Sequence, residues 1–513
     1  MPGALSISAA LLLGAATVLG FAPFAVWPLP LLTLAGLFAL WLHAPSPRRA
    51  AVLGFAFGAG LFGAGVSWVY IALSTFGDMP ASLAVVATAG FVAYLAFYPA
   101  LAGWVCARLA PAGSHARLAF AAATWSLCEW LRGWLLSGFG WLDAGYAQMP
   151  GFLQGYAPIG GVLLVGLATA MIAALIVEAL RAFDPWRPAT QAAVLATIAA
   201  VAAGAWALDR LEWSTPAGAP VAVSLVQGNI DQAEKFDRAY LDQTFDIYAE
   251  LVRSAKGRLI VLPESALPVF ADEVAPEYVE LLRAAARQRG GDLLLGLFFF
   301  EPRAPGEDED RYFNSVVSVG SAPAQRYSKH HLVPFGETIP GKAVFGWFIR
   351  SVLAIPLADQ TPGPADQEPF AVAGEKAAVN ICYEDAFGAE LARRAAEATM
   401  FVNVTNDAWY GRSIAAEQHA QIAAMRALET ARPMLRATNT GITSIIDHRG
   451  REVARLPWFT RGVLEGSIAG RRGTTPYVRF GDALPVALAL LLAVAALVAR
   501  RGMARFGPLQ RST

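Results

Sequence analysis

Three side chains of complementary chemistry stand at the ends of apolar runs in the second half of this chain. Glu264 follows Arg258-Leu-Ile-Val-Leu-Pro263, Lys329 follows Ala324-Gln-Arg-Tyr-Ser328, and Cys382 follows Lys376-Ala-Ala-Val-Asn-Ile381. Such runs read as buried strands, and in sheet proteins function collects where a strand gives way to a turn. Cys382 is the only thiol in this half, since Cys106 and Cys128 lie in long apolar stretches. A free thiol is scarcely ionised near neutral pH, so a nucleophilic cysteine needs a base or a cation beside it. Glu264 has the chemistry of that base, and Lys329 that of a cation for a developing oxyanion. Taken singly each has a structural reading: a small buried hydrophobe for Cys382, a turn cap beside Pro263 for Glu264, an exposed loop cation for Lys329. Glu, Lys and Cys together, each followed by a turn, point to nucleophilic catalysis.

The elements that must position them follow from periodicity. After a linker containing Pro216, Gly218 and Pro220, apolar β-branched runs alternate with amphipathic stretches, the pattern of an α/β domain. Strands are expected at 221–227, 258–262, 292–300, 313–319, 376–382, 399–404, 441–447 and 463–468. Helices are expected at 237–255, opened by Asp237 as N-cap, and at 274–289, 385–397 and 415–431.

The chain as a whole is too apolar for an ordinary soluble protein: 513 residues, 56% hydrophobic and 16% charged, with a mean hydropathy of +0.44. Zero formal net charge argues against a nucleic-acid partner, which would call for a basic face. The first 208 residues hold only five acidic ones, Asp78, Glu129, Asp143, Glu178 and Asp184. Membrane spans are expected near 5–23, 27–43, 52–75, 82–107, 117–135, 159–180 and 189–208, with an eighth at 483–499. The domain division is then 1–208 with seven transmembrane helices, 221–471 as a polar catalytic domain, and 472–513 as linker, eighth helix and tail.

Arginines 48, 49, 108, 117, 181, 187, 500, 501, 505 and 511 fall in alternate loops, whereas 24–26, 76–81 and 136–158 contain no Lys or Arg. The positive-inside rule then places both termini in the cytoplasm and the catalytic domain outside. The first apolar segment lacks a basic n-region and reads as a retained helix rather than a cleaved signal. Glu129 and Arg132 read as an i,i+3 ion pair at the outer interface or as the lining of a lipid path, and Gly138–Tyr146 as an interfacial loop.

Pro263-Glu264-Ser265, Lys329-His330-His331-Leu332-Val333-Pro334-Phe335-Gly336-Glu337 and Cys382-Tyr383-Glu384 resemble the Glu, Lys and Cys motifs of the nitrilase (carbon–nitrogen hydrolase) superfamily. With the flanking helices, and with Val226-Gln227-Gly228-Asn229-Ile230, Asn406-Asp407-Ala408-Trp409-Tyr410-Gly411 and Gln418-His419-Ala420-Gln421, nearly the whole chain is similar to the apolipoprotein N-acyltransferase family. The resemblance implies an αββα sandwich on a helical membrane bundle in a bacterial inner membrane. It also implies transfer of an acyl chain from a phospholipid, through a Cys382 thioester, to the amine of a diacylglyceryl-cysteine. No metal, nucleotide or redox cofactor enters that scheme. The family often carries tryptophan where this chain has Phe236, which keeps an apolar contact and loses an indole N–H.

In that scheme Glu337 holds the Lys329 ammonium, the backbone N–H of Tyr383 is a second oxyanion donor, and Tyr383 and Glu384 serve positioning or substrate contact. Phe236 and Trp409 are candidate substrate contacts. The apolar stretch 343–357, with Trp347 and Phe348, reads as a lid dipping into the outer leaflet. His330 and His331 read as loop fixers, Asp385 and Asp407 as turn and cap residues. Two rivals remain open: a membrane-tethered amidase or nitrilase hydrolysing a C–N bond, and a non-enzymatic lipid-binding or transport scaffold.

Overall fold

The computed structural model describes residues 3–182, 187–303, 310–338 and 360–505. The expected lid at 343–357, with Trp347 and Phe348, lies outside them. The chain divides into two compact units, one formed by 1–67, 85–211 and 480–513, the other by 68–84 and 212–479.

The first unit is helical. Among its described residues Gly3–Gly20, Ala81–Leu109, Phe152–Arg181, Pro188–Asp209 and Ala483–Arg500 are long and apolar enough to cross a membrane. The expected span at 52–75 is broken between Pro47–Gly65 and Val69–Phe76. Pro28–Leu42 has only 15 residues. The helix at the expected span 117–135, His115–Arg132, is not among the strongly apolar ones, because it buries Arg117, Glu129 and Arg132. Small residues let the first helices touch closely: a Cβ at Gly14 would lie 1.9 Å from the Phe57 carbonyl oxygen, and one at Gly60 2.0 Å from that of Leu11.

The expected Glu129–Arg132 pair is replaced by a different arrangement. Arg132 donates to Asp143 at 2.5 Å and to the Phe139 and Trp141 carbonyls, while Glu129 accepts from the Ala144 N–H at 2.8 Å. The Gly138–Tyr146 segment, expected as an interfacial loop, folds back with Trp141 and Tyr146 buried and supplies these partners. Buried charges need hydrogen-bonding groups, and a returning loop offers more of them than one helix face.

The second unit is a two-sheet sandwich. One six-stranded sheet runs in the order Gly462–Ile468, Val221–Gln227, Leu259–Val261, Asp292–Glu301, Arg311–Gly320, Arg326–Ser328. The other runs Glu452–Arg455, Ser444–Ile446, Met434–Thr438, Met400–Thr405, Glu375–Ile381, Phe370–Val372. In each, three central strands are parallel and the flanking ones antiparallel. Strand parity explains the layers. Val223, Leu225, Leu259, Val261 and Leu294 meet Val379, Ile381, Val402, Val404 and Leu435 between the sheets. The alternate residues Val226, Ile260, Leu262, Leu293 and Leu295 face outward onto the helices Leu241–Ser254 and Pro276–Gln288. The helices Gly388–Ala395 and Ala415–Thr430 belong to the second sheet's half.

Each expected strand and helix has a counterpart, with shifted ends. Asp237 caps the short 3-10 turn Arg238–Tyr240, donated to by the Ala239 N–H, ahead of the helix proper. Periodicity missed Arg326–Ser328, Phe370–Val372, Met434–Thr438 and Glu452–Arg455. Ser214–Pro216 pairs antiparallel with Arg471–Gly473, closing the unit's two ends on each other.

Candidate active site

The parallel strands deliver Glu264, Cys382 and Asn406 at their carboxyl ends, the usual place for a site in such sheets. Glu264 is 6% exposed. Its Oε1 accepts from Asn314 Nδ2 at 2.7 Å and Lys329 Nζ at 3.4 Å, and its Oε2 from the Asn406 N–H at 2.9 Å. Lys329 follows the edge strand Arg326–Ser328, its own N–H donating to the Asn314 carbonyl at 2.8 Å. Its Nζ donates to Glu337 Oε1 at 2.6 Å, and Glu337 Oε2 accepts from the Val333 N–H at 2.9 Å. Glu264, Lys329 and Glu337 thus form one chain of alternating charge, buried at Glu264 and Lys329 and reaching toward the surface at Glu337. Burial lowers the affinity of Lys329 for its proton, but Glu337 and Glu264 outweigh it and hold this ammonium above its ordinary range.

Cys382 opens the turn Cys382–Ala386 immediately after Ile381, at φ +52°, a conformation that residues other than glycine adopt only under constraint. The strand therefore ends one residue earlier than expected, and the kink takes Cys382 out of the ladder. Burial, then the charge of Glu264, push the thiol well above its ordinary value, and Lys329 pulls it back. A thiol so placed would need a base to take its proton before it could act as a nucleophile.

Glu384 is 2% exposed and wholly engaged with the protein. Its carboxylate accepts from the His330 and His331 N–H groups at 2.7 and 3.1 Å, from the Ile381 N–H at 2.7 Å, and from Tyr327 Oη at 2.9 Å. It thereby ties the lysine loop to the cysteine turn. Of the two roles expected for it, positioning is the one with contacts. The Tyr383 ring packs on Phe387 at 5.1 Å, and His331 stacks on Phe387 at 3.4 Å while reaching Glu390 at 3.2 Å. His330 Nδ1 lies 2.8 Å from the Gly363 carbonyl. Both histidines secure the loop, as expected. Phe236 lies at the surface near Phe298, and Trp409 packs edge-on against Phe76 at 6.3 Å.

Asp385 and Asp407 depart from their expected roles as turn and cap residues. They are buried with His419 and Arg436 in a four-membered charge cluster: His419 reaches Asp385 at 2.9 Å and Asp407 at 2.8 Å, and Arg436 reaches them at 2.9 and 3.2 Å. Arg436 comes from the strand Met434–Thr438 that periodicity missed, so the partner that draws the aspartates inward was invisible in sequence. Asn314, Asn406, Lys235, His419 and Arg436 were not singled out as site residues. The Asn406 and His419 motifs were quoted, which is the only signal that marked them.

Residues 13–175 match the family model for the apolipoprotein N-acyltransferase N-terminal domain, and residues 222–477 match that for carbon–nitrogen hydrolase. The chain is 47% identical over 500 residues to the apolipoprotein N-acyltransferase of Nitrosomonas europaea, covering 96% of this chain and 97% of that protein. It is 44% identical over 468 residues to the one from Methylococcus capsulatus, covering 90% of each. It is 43% identical over 502 residues to the one from Ralstonia nicotianae, covering 96% and 93%. With a nitrilase-like sandwich joined to a set of apolar helices and this likeness along nearly its full length, the chain belongs to the apolipoprotein N-acyltransferase family, a family of membrane acyltransferases.

Proposed function

We propose that the protein moves an acyl chain from a phospholipid to Cys382 as a thioester, and then to the N-terminal amine of a diacylglyceryl-modified apolipoprotein. The observation that carries this reading is the Glu264–Lys329–Glu337 charge chain beside a constrained thiol. Glu264 takes the Cys382 proton as sulfur attacks the ester carbonyl. Lys329, with the Tyr383 N–H, faces the oxygen on which charge builds, and loss of one such donor costs roughly 3–4 kcal/mol of barrier. Collapse breaks the C–O bond, and Glu264 returns its proton to the leaving lysophospholipid oxygen. The neutral acceptor amine then attacks the thioester, its nitrogen proton passes to Glu264, and the thiolate leaves and is reprotonated. Glu337 steadies the Lys329 ammonium throughout.

Both substrates carry acyl chains, and each CH₂ drawn from a bilayer costs about 0.8 kcal/mol. A catalytic unit attached to membrane helices meets its substrates where they reside. We assign the seven-plus-one span arrangement, cytoplasmic termini and an outward-facing catalytic unit in the inner membrane from the arginine pattern.

Incubation with phospholipid and no acceptor, followed by intact mass, tests the reading. An acyl adduct on Cys382 that hydroxylamine removes and Cys382→Ala lacks is the expected result. Fatty-acid release with no adduct would instead identify a hydrolase.

A further inference from the structure

Lys235 ends the short helix Gln232–Lys235 and is 1% exposed. Buried lysines are almost always ion-paired, yet its Nζ donates to two neutral acceptors, the Glu264 carbonyl oxygen at 3.1 Å and Ser265 Oγ at 2.9 Å. Those atoms belong to the turn that aims the general base, and Ser265 sits there at φ +42°. The carboxylate of Glu264 is fixed on its other side by Asn314, Lys329 and Asn406. A cation bridging the back of a constrained turn restrains it where a neutral residue of similar size would not.

We propose that Lys235 is a positioning residue for the acyl transfer: its ammonium clamps the Glu264–Ser265 turn and sets a second positive charge toward the thiolate that forms at Cys382. The proposal rests on the acyl-thioester reading above. The charges that bear on Lys235 come from Glu264, in the loop after Leu259–Val261, and from Cys382, in the turn after Glu375–Ile381. Burial lowers its pKa to about 8 against the pull of those two groups. The clamp therefore carries its positive charge below that pH and becomes a weaker, neutral donor above it, whereas Lys329 keeps its proton far beyond.

The test uses the full-length protein in detergent. It follows Cys382 alkylation by iodoacetamide, mapped by peptide mass, and thioester formation from phospholipid, across roughly pH 6 to 10, with thermal unfolding as the check on folding. Thioester formation in the parent should decline above about pH 8; a profile flat to about pH 10 overturns the proposal. Lys235→Met should slow both reactions at neutral pH by roughly tenfold or more and abolish the decline. A folded Lys235→Met that behaves as the parent in both reactions overturns it. Lys235→Arg keeps the charge, so it should retain most of the alkylation rate and move the decline beyond about pH 10; a decline left near the parent's position overturns the proposal even if the Met variant fails to fold. Alkylation needs no phospholipid. A parent that alkylates with the expected dependence on residue 235 but forms no thioester refutes the acyl-transfer reading and leaves the clamp standing.

Discussion

Glu384 is a buried carboxylate whose hydrogen bonds join two loops. Its carboxylate is an acceptor for donors from both the lysine loop and the cysteine turn, and Glu384→Gln would turn an N–H₂ toward N–H groups that now donate to an oxygen. Leaving such donors unsatisfied costs about 1–3 kcal/mol each. The variant should unfold several degrees earlier and form thioester at least tenfold more slowly. Glu384→Gln with parental thermal unfolding and parental adduct kinetics would refute the bracing role. At this scale Glu264, Lys329 and Cys382 stood out because unlike chemistry at the ends of apolar runs is rare, whereas Glu337 was marked only by the resemblance of the lysine motif. Asn314 and Lys235 were not, since an asparagine inside a strand and a lysine in a polar segment acquire meaning only when folding sets them beside Glu264.

Among the elements, the strand Met434–Thr438 was lost because Arg436 interrupts its apolar run, and that same arginine anchors the buried cluster with Asp385, Asp407 and His419. Burial and Arg436 disfavour a proton on His419, but Asp385 and Asp407 prevail and raise its pKa from 6.5 to about 9. Since the folded value lies above the unfolded one, the contribution is complete below 6.5 and disappears as pH climbs through about 9. It is worth on the order of 3 kcal/mol. Lys235 works the other way, since its lowered pKa favours the folded state increasingly above about 8. Thermal unfolding of the parent should therefore be compared with His419→Gln, which is expected to start lower near neutral pH and to lack the alkaline loss. Parallel curves across that range would refute a charged His419. Glu129 and Arg132 misled in a related way, because the returning loop that partners Arg132 and one oxygen of Glu129 is not encoded in helix spacing.

The whole molecule was legible in outline: a run of apolar helices, an α/β unit inserted before the last of them, and the sandwich that the motifs implied. Orientation rests on arginine placement, so it yields its own measurement. A membrane-impermeant maleimide should label Arg303→Cys in intact cells and leave Arg48→Cys unlabelled until the cells are opened; the reverse pattern would invert the topology. Less foreseeable was that residues 68–84, read as the end of an apolar span and a loop, group with the catalytic unit. Trp68 donates its indole N–H to Gln418 at 3.1 Å and packs on Tyr410 at 4.6 Å, next to the residues that carry His419 and Asp407. A fragment cut at residue 212 would leave Trp68 behind and take this partner from Gln418 and Tyr410. A truncation meant to free this unit from the membrane would therefore test its folding as well as its anchorage, because the unit draws 68–84 from between the apolar helices.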